Sequence, residues 1–348
     1  MFFHKFRFRP ARIILPAALA VLILSARTGY SFTALYAFGD SLTDTGRNPP
    51  GAQYYEGRYS NGPLWIEYLS AMLGVPYNAS NNLAYSGSTT SDLLSQIAEM
   101  PSTNNLQSAL FAVWSGGNDF LQSTGNGTND AEWGATISNA VLNLTNAANV
   151  LYTIGAREVI VPNMVYLGEL PYFSTTGGFT NYINFQVQLF NSELGTAVTN
   201  LMKACPGLRI YSMNANQEGL TVYDSPAAYG FTVISVGALE DTNLTNKSFT
   251  GPGANYLFWD YIHPTTKMHA NFGALAFNLV GVGLNVSGSA SNLSLTVSNL
   301  YPGFQYSIQG STNLSAWTNY ETITANGTNF NIHVTNSPGR AAYYRVVY

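Results

Sequence analysis

Apolar positions along the chain change their period several times. Short apolar runs at residues 34–38, 82–85, 110–114, 158–161 and 208–211 read as five strands. Between them the spacing switches to threes and fours. Ile137, Val141, Leu144, Ala148 and Leu151 fall on one helical face, as do Phe190, Leu194, Val198 and Leu201. Met268, Phe272, Leu275 and Leu279 predict a last helix, with Thr265 or Thr266 placed to cap its start. Strands alternating with helices predict an α/β domain around a parallel sheet, over residues 32–284.

Near residue 284 the helical period stops. Alternation of period two takes over in Leu293-Ser294-Leu295-Thr296-Val297, in Tyr306-Ser307-Ile308 and in Phe330-Asn331-Ile332-His333-Val334. Pro302-Gly303, Asn326-Gly327 and Pro338-Gly339 punctuate these runs. The pattern predicts a small antiparallel β-sandwich over residues 292–348, joined by a linker at 285–291.

Residues 1–31 have a third texture. His4, Lys5, Arg7, Arg9 and Arg12 precede an apolar run at 13–24 that is too short to span a membrane. This reads as a signal peptide cleaved between Ala26 and Ser31, so the protein is expected to be secreted; an uncleaved anchor is the alternative. Five of the 14 basic residues lie in this segment and none of the 18 acidic ones, so residues 32–348 carry a net charge of −9. An acidic chain without a basic run is not expected to bind nucleic acid or anionic membranes. Charged residues are only 9% of the sequence, and Asn, Ser, Thr, Tyr and Gly take their place. Cys205 is the single cysteine and forms no internal disulfide; lacking a neighbouring His, it reads as a buried structural thiol.

Three clusters carry chemistry, each just past an expected strand. Phe38-Gly39-Asp40-Ser41-Leu42 puts a hydroxyl at the carboxyl end of the first strand, where open parallel sheets bind ligands. Gly116-Gly117-Asn118-Asp119 offers a neutral amide donor. Asp260-Tyr261-Ile262-His263-Pro264 sets a carboxylate three residues before an imidazole, as a serine hydrolase needs. Gly87, after the 82–85 run, can present its N–H unobstructed. Each has a plain structural reading too: Ser41 as a helix cap, Gly-Gly-Asn-Asp as a turn, Gly87 as a strand-to-helix bend. Asp40 and Asp44 have no partners that would make a metal site, so no metal or cofactor is expected. Among the other histidines, His269 reads as a partly exposed helix residue and His333 as a strand residue of the small module. The sequence holds no Gly-x-Ser-x-Gly elbow, no His-Glu-x-x-His and no P-loop pattern.

The ordered clusters resemble the GDSL, or SGNH, family of esterases and lipases. Gly39-Asp40-Ser41-Leu42 is similar to its first block, Gly87 to its second, Gly117-Asn118-Asp119 to its third and Asp260-x-x-His263 to its fifth. Leu42-Thr43-Asp44-Thr45-Gly46, residues 57–63 (Gly-Arg-Tyr-Ser-Asn-Gly-Pro) and Phe258-Trp259-Asp260 resemble the branch with secreted bacterial lipases, lecithinase-like enzymes and plant esterases. The likeness covers residues 34 to 280. It implies a three-layer α/β/α, flavodoxin-like SGNH hydrolase domain with parallel sheet order 2-1-3-4-5. It further implies Ser41 as nucleophile, His263 as base, Asp260 as its orienter, and an oxyanion hole from Ser41, Gly87 and Asn118. The expected substrate is a small-molecule, lipid or carbohydrate ester. A carbohydrate O-acetyl esterase or acyltransferase is the enzymatic alternative, and a non-catalytic surface-binding protein the other. Residues 311–317 and Tyr343-Tyr344-Arg345-Val346 resemble C-terminal modules of exported bacterial enzymes, which implies attachment to a cell surface or polymer.

Overall fold

A computed structural model describes residues 32–348 except 102–104, 175–178, 281–282, 290–291, 299, 301–304, 313–314, 328, 335–342 and 348. The expected leader at 1–31, the expected turns at 302–303 and 338–339, and part of the 311–317 motif lie outside the described residues. The chain divides between residues 281 and 282 into two compact units.

In the first unit, β1 (Leu35–Gly39), β2 (Leu110–Trp114), β3 (Glu158–Pro162) and β4 (Arg209–Met213) form one parallel sheet in that order. The first three strands are buried along their whole length. Helices cover a parallel sheet on both sides, which is why these strands read as unbroken apolar runs. The helices are α1 (Trp65–Leu73), α2 (Leu93–Ala98), α3 (Gly117–Ser123), α4 (Asp130–Thr153), α5 (Pro171–Ser174), α6 (Thr180–Ala204), α7 (Ala215–Asp224) and α8 (Thr266–Val280). The arrangement is the expected three-layer α/β/α fold. All five positions of the stripe on α4 are buried. On α6, Phe190, Leu194 and Val198 are buried and Leu201 is half-buried.

The segment at 82–85, read as a strand, is reduced to a single parallel bridge between Asn82 and Ala37. Leu83 and Tyr85 N–H still donate to the Ala37 and Gly39 carbonyls, as an edge strand would. The side chain of Asn82 diverts the rest: its amide donates to the Thr43 carbonyl and its oxygen accepts from Ala84 N–H. The edge position beside β1 is nonetheless the one that order 2-1-3-4-5 requires.

Two expectations about α8 are corrected. Met268 and Phe272 are buried as the spacing predicts, but Leu275 and Leu279 are only half-buried against the core, and the buried face continues instead through His269, Gly273, Ala276 and Val280. Gly273 sets this rotation, because a Cβ there would stand 2.7 Å from Tyr68 and 2.9 Å from the Trp65 carbonyl on α1. Nor does Thr265 or Thr266 cap the helix with its hydroxyl. These hydroxyls donate to the Tyr256 and Pro63 carbonyls, and the oxygen of Asn61 accepts from Thr266 N–H instead.

A short parallel pair, β5 (Val233–Gly237) and β6 (Tyr256–Phe258), leads into the loop that carries Asp260 and His263. Cys205 is buried beside Asn149, as expected.

The second unit contains β7 (Gly283–Ser289), β8 (Asn292–Ser298), β9 (Gln305–Ser311), β10 (Thr318–Thr324), β11 (Asn329–Val334) and β12 (Tyr343–Val347). They make two antiparallel three-stranded sheets, ordered β11-β8-β7 and β10-β9-β12. Leu293, Leu295, Val297, Tyr306, Ile308, Ile332 and Val334 are buried, as the alternation predicts. The linker read at 285–291 is corrected: most of it belongs to β7, whose Leu284 and Val286 pair with Val297 and Leu295. Weak alternation in Leu-Asn-Val-Ser-Gly-Ser hides this strand in the sequence.

Candidate active site

The site begins with a backbone constraint at the end of β1. Gly39 has φ of 143°, and a Cβ there would stand 1.9 Å from the Trp114 carbonyl, so only glycine fits. The buried Gln96 side chain on α2 accepts from Gly39 N–H and donates to Gly39 C=O, at 2.8 and 2.9 Å. Ser88 Oγ donates to the same carbonyl at 2.7 Å. The chain then turns: Thr43 and Asp44 N–H both donate to the Asp40 carbonyl, and Ser41 sits between them, buried.

Asp260 and His263 arrive from the far end of the chain on the loop after β6. Asp260 Oδ1 accepts from Ile262 and His263 N–H, at 2.8 and 2.7 Å. Its Oδ2 lies 2.7 Å from His263 Nδ1, and His263 Nε2 lies 2.8 Å from Ser41 Oγ. Burial of Asp260 would raise its pKa. The hydrogen bond and charge of His263 with the two backbone N–H groups outweigh it and hold the carboxyl below its ordinary value. A relay from carboxylate through imidazole to hydroxyl can take the hydroxyl proton and return it to a leaving group.

Asn118 enters from the start of α3, after Gly116 has turned the chain with φ of 126°. Its Nδ2 donates to the Ser88 carbonyl at 2.8 Å, leaving the second amide hydrogen for another acceptor. Asp119 secures the same junction by accepting from the N–H and hydroxyl of Thr90. Gly87 lies on the exposed turn between Ser86 and Ser88, with φ of 86°. Neither Ser41 N–H nor Gly87 N–H donates to a protein acceptor among the described residues. Ser41, Asn118 and His263 line a common cavity of about 110 Å³; Gly87 is not among its lining residues. Leu121, Val165, Leu170, Leu220, Leu257 and Phe272 make most of its wall apolar.

Several residues that shape the site are not singled out by the sequence. Gln96 is fully buried on the face of α2 that carries Leu93 and Ile97, and its polar side chain alone gives no sign of its role. Asp44 accepts from four backbone N–H groups, those of Gly46, Arg47, Asn48 and Ser86, and so ties the loop after Ser41 to the turn carrying Gly87. Tyr54 donates to Asp260 Oδ2 at 2.8 Å. Only Asp44 left a sequence signal, in the Leu-Thr-Asp-Thr-Gly stretch. Asp40 lines the cavity beside Ser41, and burial raises its carboxyl to about 7. His269, expected to be partly exposed, is buried with both ring nitrogens unpartnered among the described residues. Among those residues no group of three metal-ligating side chains occurs.

Residues 35–276 match the sequence model described as GDSL-like Lipase/Acylhydrolase. A GDSL esterase/lipase of Arabidopsis thaliana is 26% identical over 310 residues, spanning 66% of this chain and 83% of that protein. The phosphatidylcholine-sterol acyltransferase of Aeromonas hydrophila is 28% identical over 190 residues, or 46% of this chain and 52% of that one. Among solved structures, an acetylxylan esterase from Geobacillus stearothermophilus aligns with a TM-score of 0.43 at 15% identity. That alignment covers 72% of this chain and 94% of that one.

Proposed function

The chain belongs to the GDSL-like lipase and acylhydrolase family, whose members cleave ester bonds, and on that premise we propose a secreted serine esterase with Ser41 as nucleophile. One observation carries this reading: the unbroken contact from Asp260 through His263 to Ser41, with 2.7 and 2.8 Å links. His263 Nε2 takes the Ser41 proton as Oγ bonds to the ester carbonyl carbon. Asp260 keeps Nδ1 protonated and stabilises the imidazolium. The carbonyl oxygen gains negative charge and is met by Ser41 N–H, Gly87 N–H and the Asn118 amide. Collapse expels the alcohol, which receives the proton from His263. Water then repeats the attack on the acyl-enzyme, giving up its proton to His263, and releases the acid.

The cavity beside Ser41 supports a reading of the substrate class. Its wall of leucines, valine and phenylalanine offers an acyl chain apolar contact and gives a sugar ring few hydrogen-bond partners. We therefore assign to it esters with an acyl group longer than acetyl.

Labelling with a fluorophosphonate followed by peptide mass spectrometry tests the nucleophile. The adduct is expected on Ser41 and absent from Ser41→Ala; a wild-type protein that stays unlabelled would remove the proposal. Asn118→Ala should lower kcat by roughly 10²–10³ with KM little changed, as for one lost oxyanion donor. A panel of p-nitrophenyl esters, phospholipids and acetylated xylan tests the substrate. Preference for acetylated xylan over longer acyl esters would replace this assignment by a carbohydrate O-acetyl esterase.

A further inference from the structure

Residues 51–62 lie across the loop that holds the Asp260–His263 pair, about 200 positions away in sequence. Tyr54 donates its hydroxyl to Asp260 Oδ2 at 2.8 Å, the same oxygen that faces His263 Nδ1. The Tyr54 ring meets Trp259 edge-on with centroids 6.2 Å apart, and the Tyr59 ring lies 5.0 Å from the imidazole. Ser60 Oγ donates to the Pro264 carbonyl at 3.0 Å, and Asn61 accepts from Thr266 N–H at 2.9 Å. A Cβ on Gly62 would stand 2.8 Å from Thr266, so the segment approaches that loop as closely as glycine allows. Asp260 thus accepts two backbone hydrogen bonds on one oxygen and two side-chain contacts on the other.

We propose that Tyr54 is a positioning residue for the Asp260–His263 pair, sharing the carboxylate oxygen that orients the imidazole and so holding the carboxylate in register with Nδ1. The inference rests on the reading of His263 as general base. Tyr54 touches no reacting atom and acts only through Asp260. Two side-chain groups share Asp260 Oδ2, so the phenol helps to set where the carboxylate meets Nδ1. It also fixes the plane of the carboxylate against the ring. The other groups facing the pair are Glu240 towards Asp260, and Asp40, His269 and Tyr59 towards His263. All of them remain when the Tyr54 hydroxyl is removed.

Tyr54→Phe keeps the ring packing and deletes only the hydroxyl. In the full-length variant the proton NMR resonance of His263 Nδ1–H should move, because the oxygen it faces has lost its second donor. The kcat should fall several-fold with KM unchanged, as for a group that acts only through the orientation of the base. Tyr55→Phe, whose ring packs on Phe249, should move neither. An unchanged Nδ1–H resonance in Tyr54→Phe would overturn the inference, as would an unchanged kcat or equal changes in Tyr55→Phe. The NMR readout needs no turnover. A failure of the esterase reading is seen separately, as absence of label on Ser41.

Discussion

His269 shows how burial sets the behaviour of one side chain. Enclosure without a hydrogen-bond partner among the described residues penalises the charged ring, and the nearby His263 adds to this, so its pKa falls to about 3. A histidine depressed in the folded state stabilises the fold above its unfolded value near 6.5 and loses that contribution as pH drops towards 3. The margin by which the wild type exceeds His269→Phe should therefore shrink on the order of 3 kcal/mol between pH 7 and pH 4. Urea unfolding of both proteins at the two pH values measures it. Asp40 and Glu158, whose carboxyls burial raises to about 7, tilt stability the opposite way, but both proteins carry them and they cancel in the difference. A pH-independent margin would mean that the ring is solvated. The sequence offers no warning of this environment, since a histidine one turn into an amphipathic helix fits either face.

Among the elements, the junction of β1 with its turn decides whether a site exists at all. Gly39 pairs with Trp114 in the parallel register, and its close approach lets Gln96 and Ser88 bond the same peptide group. Gly39→Ala should push β1 away from β2 and cost roughly 3 kcal/mol or more in urea unfolding, with activity lost as well. Gly87→Ala is the contrast. Its Cβ would enter open space, so only the positive φ is penalised and the cost should stay at about 1–2 kcal/mol. Equal costs at the two glycines would contradict the packing seen at Trp114. The first strand, the turn after it and the loop at 260–263 were legible because apolar runs and glycine punctuation are local signals. The face of α8 and its cap were not, because Gly273 against α1 and Asn61 from a distant loop decide them.

For the whole molecule, the division between residues 281 and 282 leaves every proposed catalytic side chain in the first unit. A chain ending at residue 281 should therefore fold and hydrolyse small soluble p-nitrophenyl esters with essentially unchanged kcat and KM. Binding to insoluble polymer or to cells is where its loss should register, if the second unit is an attachment module. A folded truncant without small-ester activity would show that the second unit helps to build the site. Among the described residues each of its two sheets has three strands, and calorimetry of residues 282–348 measures how stable so small a unit is on its own.

By itself the sequence determined the α/β alternation, the three polar clusters and Gly87 at strand ends, their order and the change to antiparallel strands near residue 284. These depend on residues close together along the chain, where periodicity and turn chemistry act. Tertiary structure alone decided that Asn82 bridges rather than pairs in a full strand, that His269 is enclosed, and that Gln96 turns inward to hold Gly39. It alone brought Tyr54 to Asp260 across 206 positions. A hydrogen bond of that range leaves no periodic trace, because it is fixed by where two loops meet once the sheet and helices have packed.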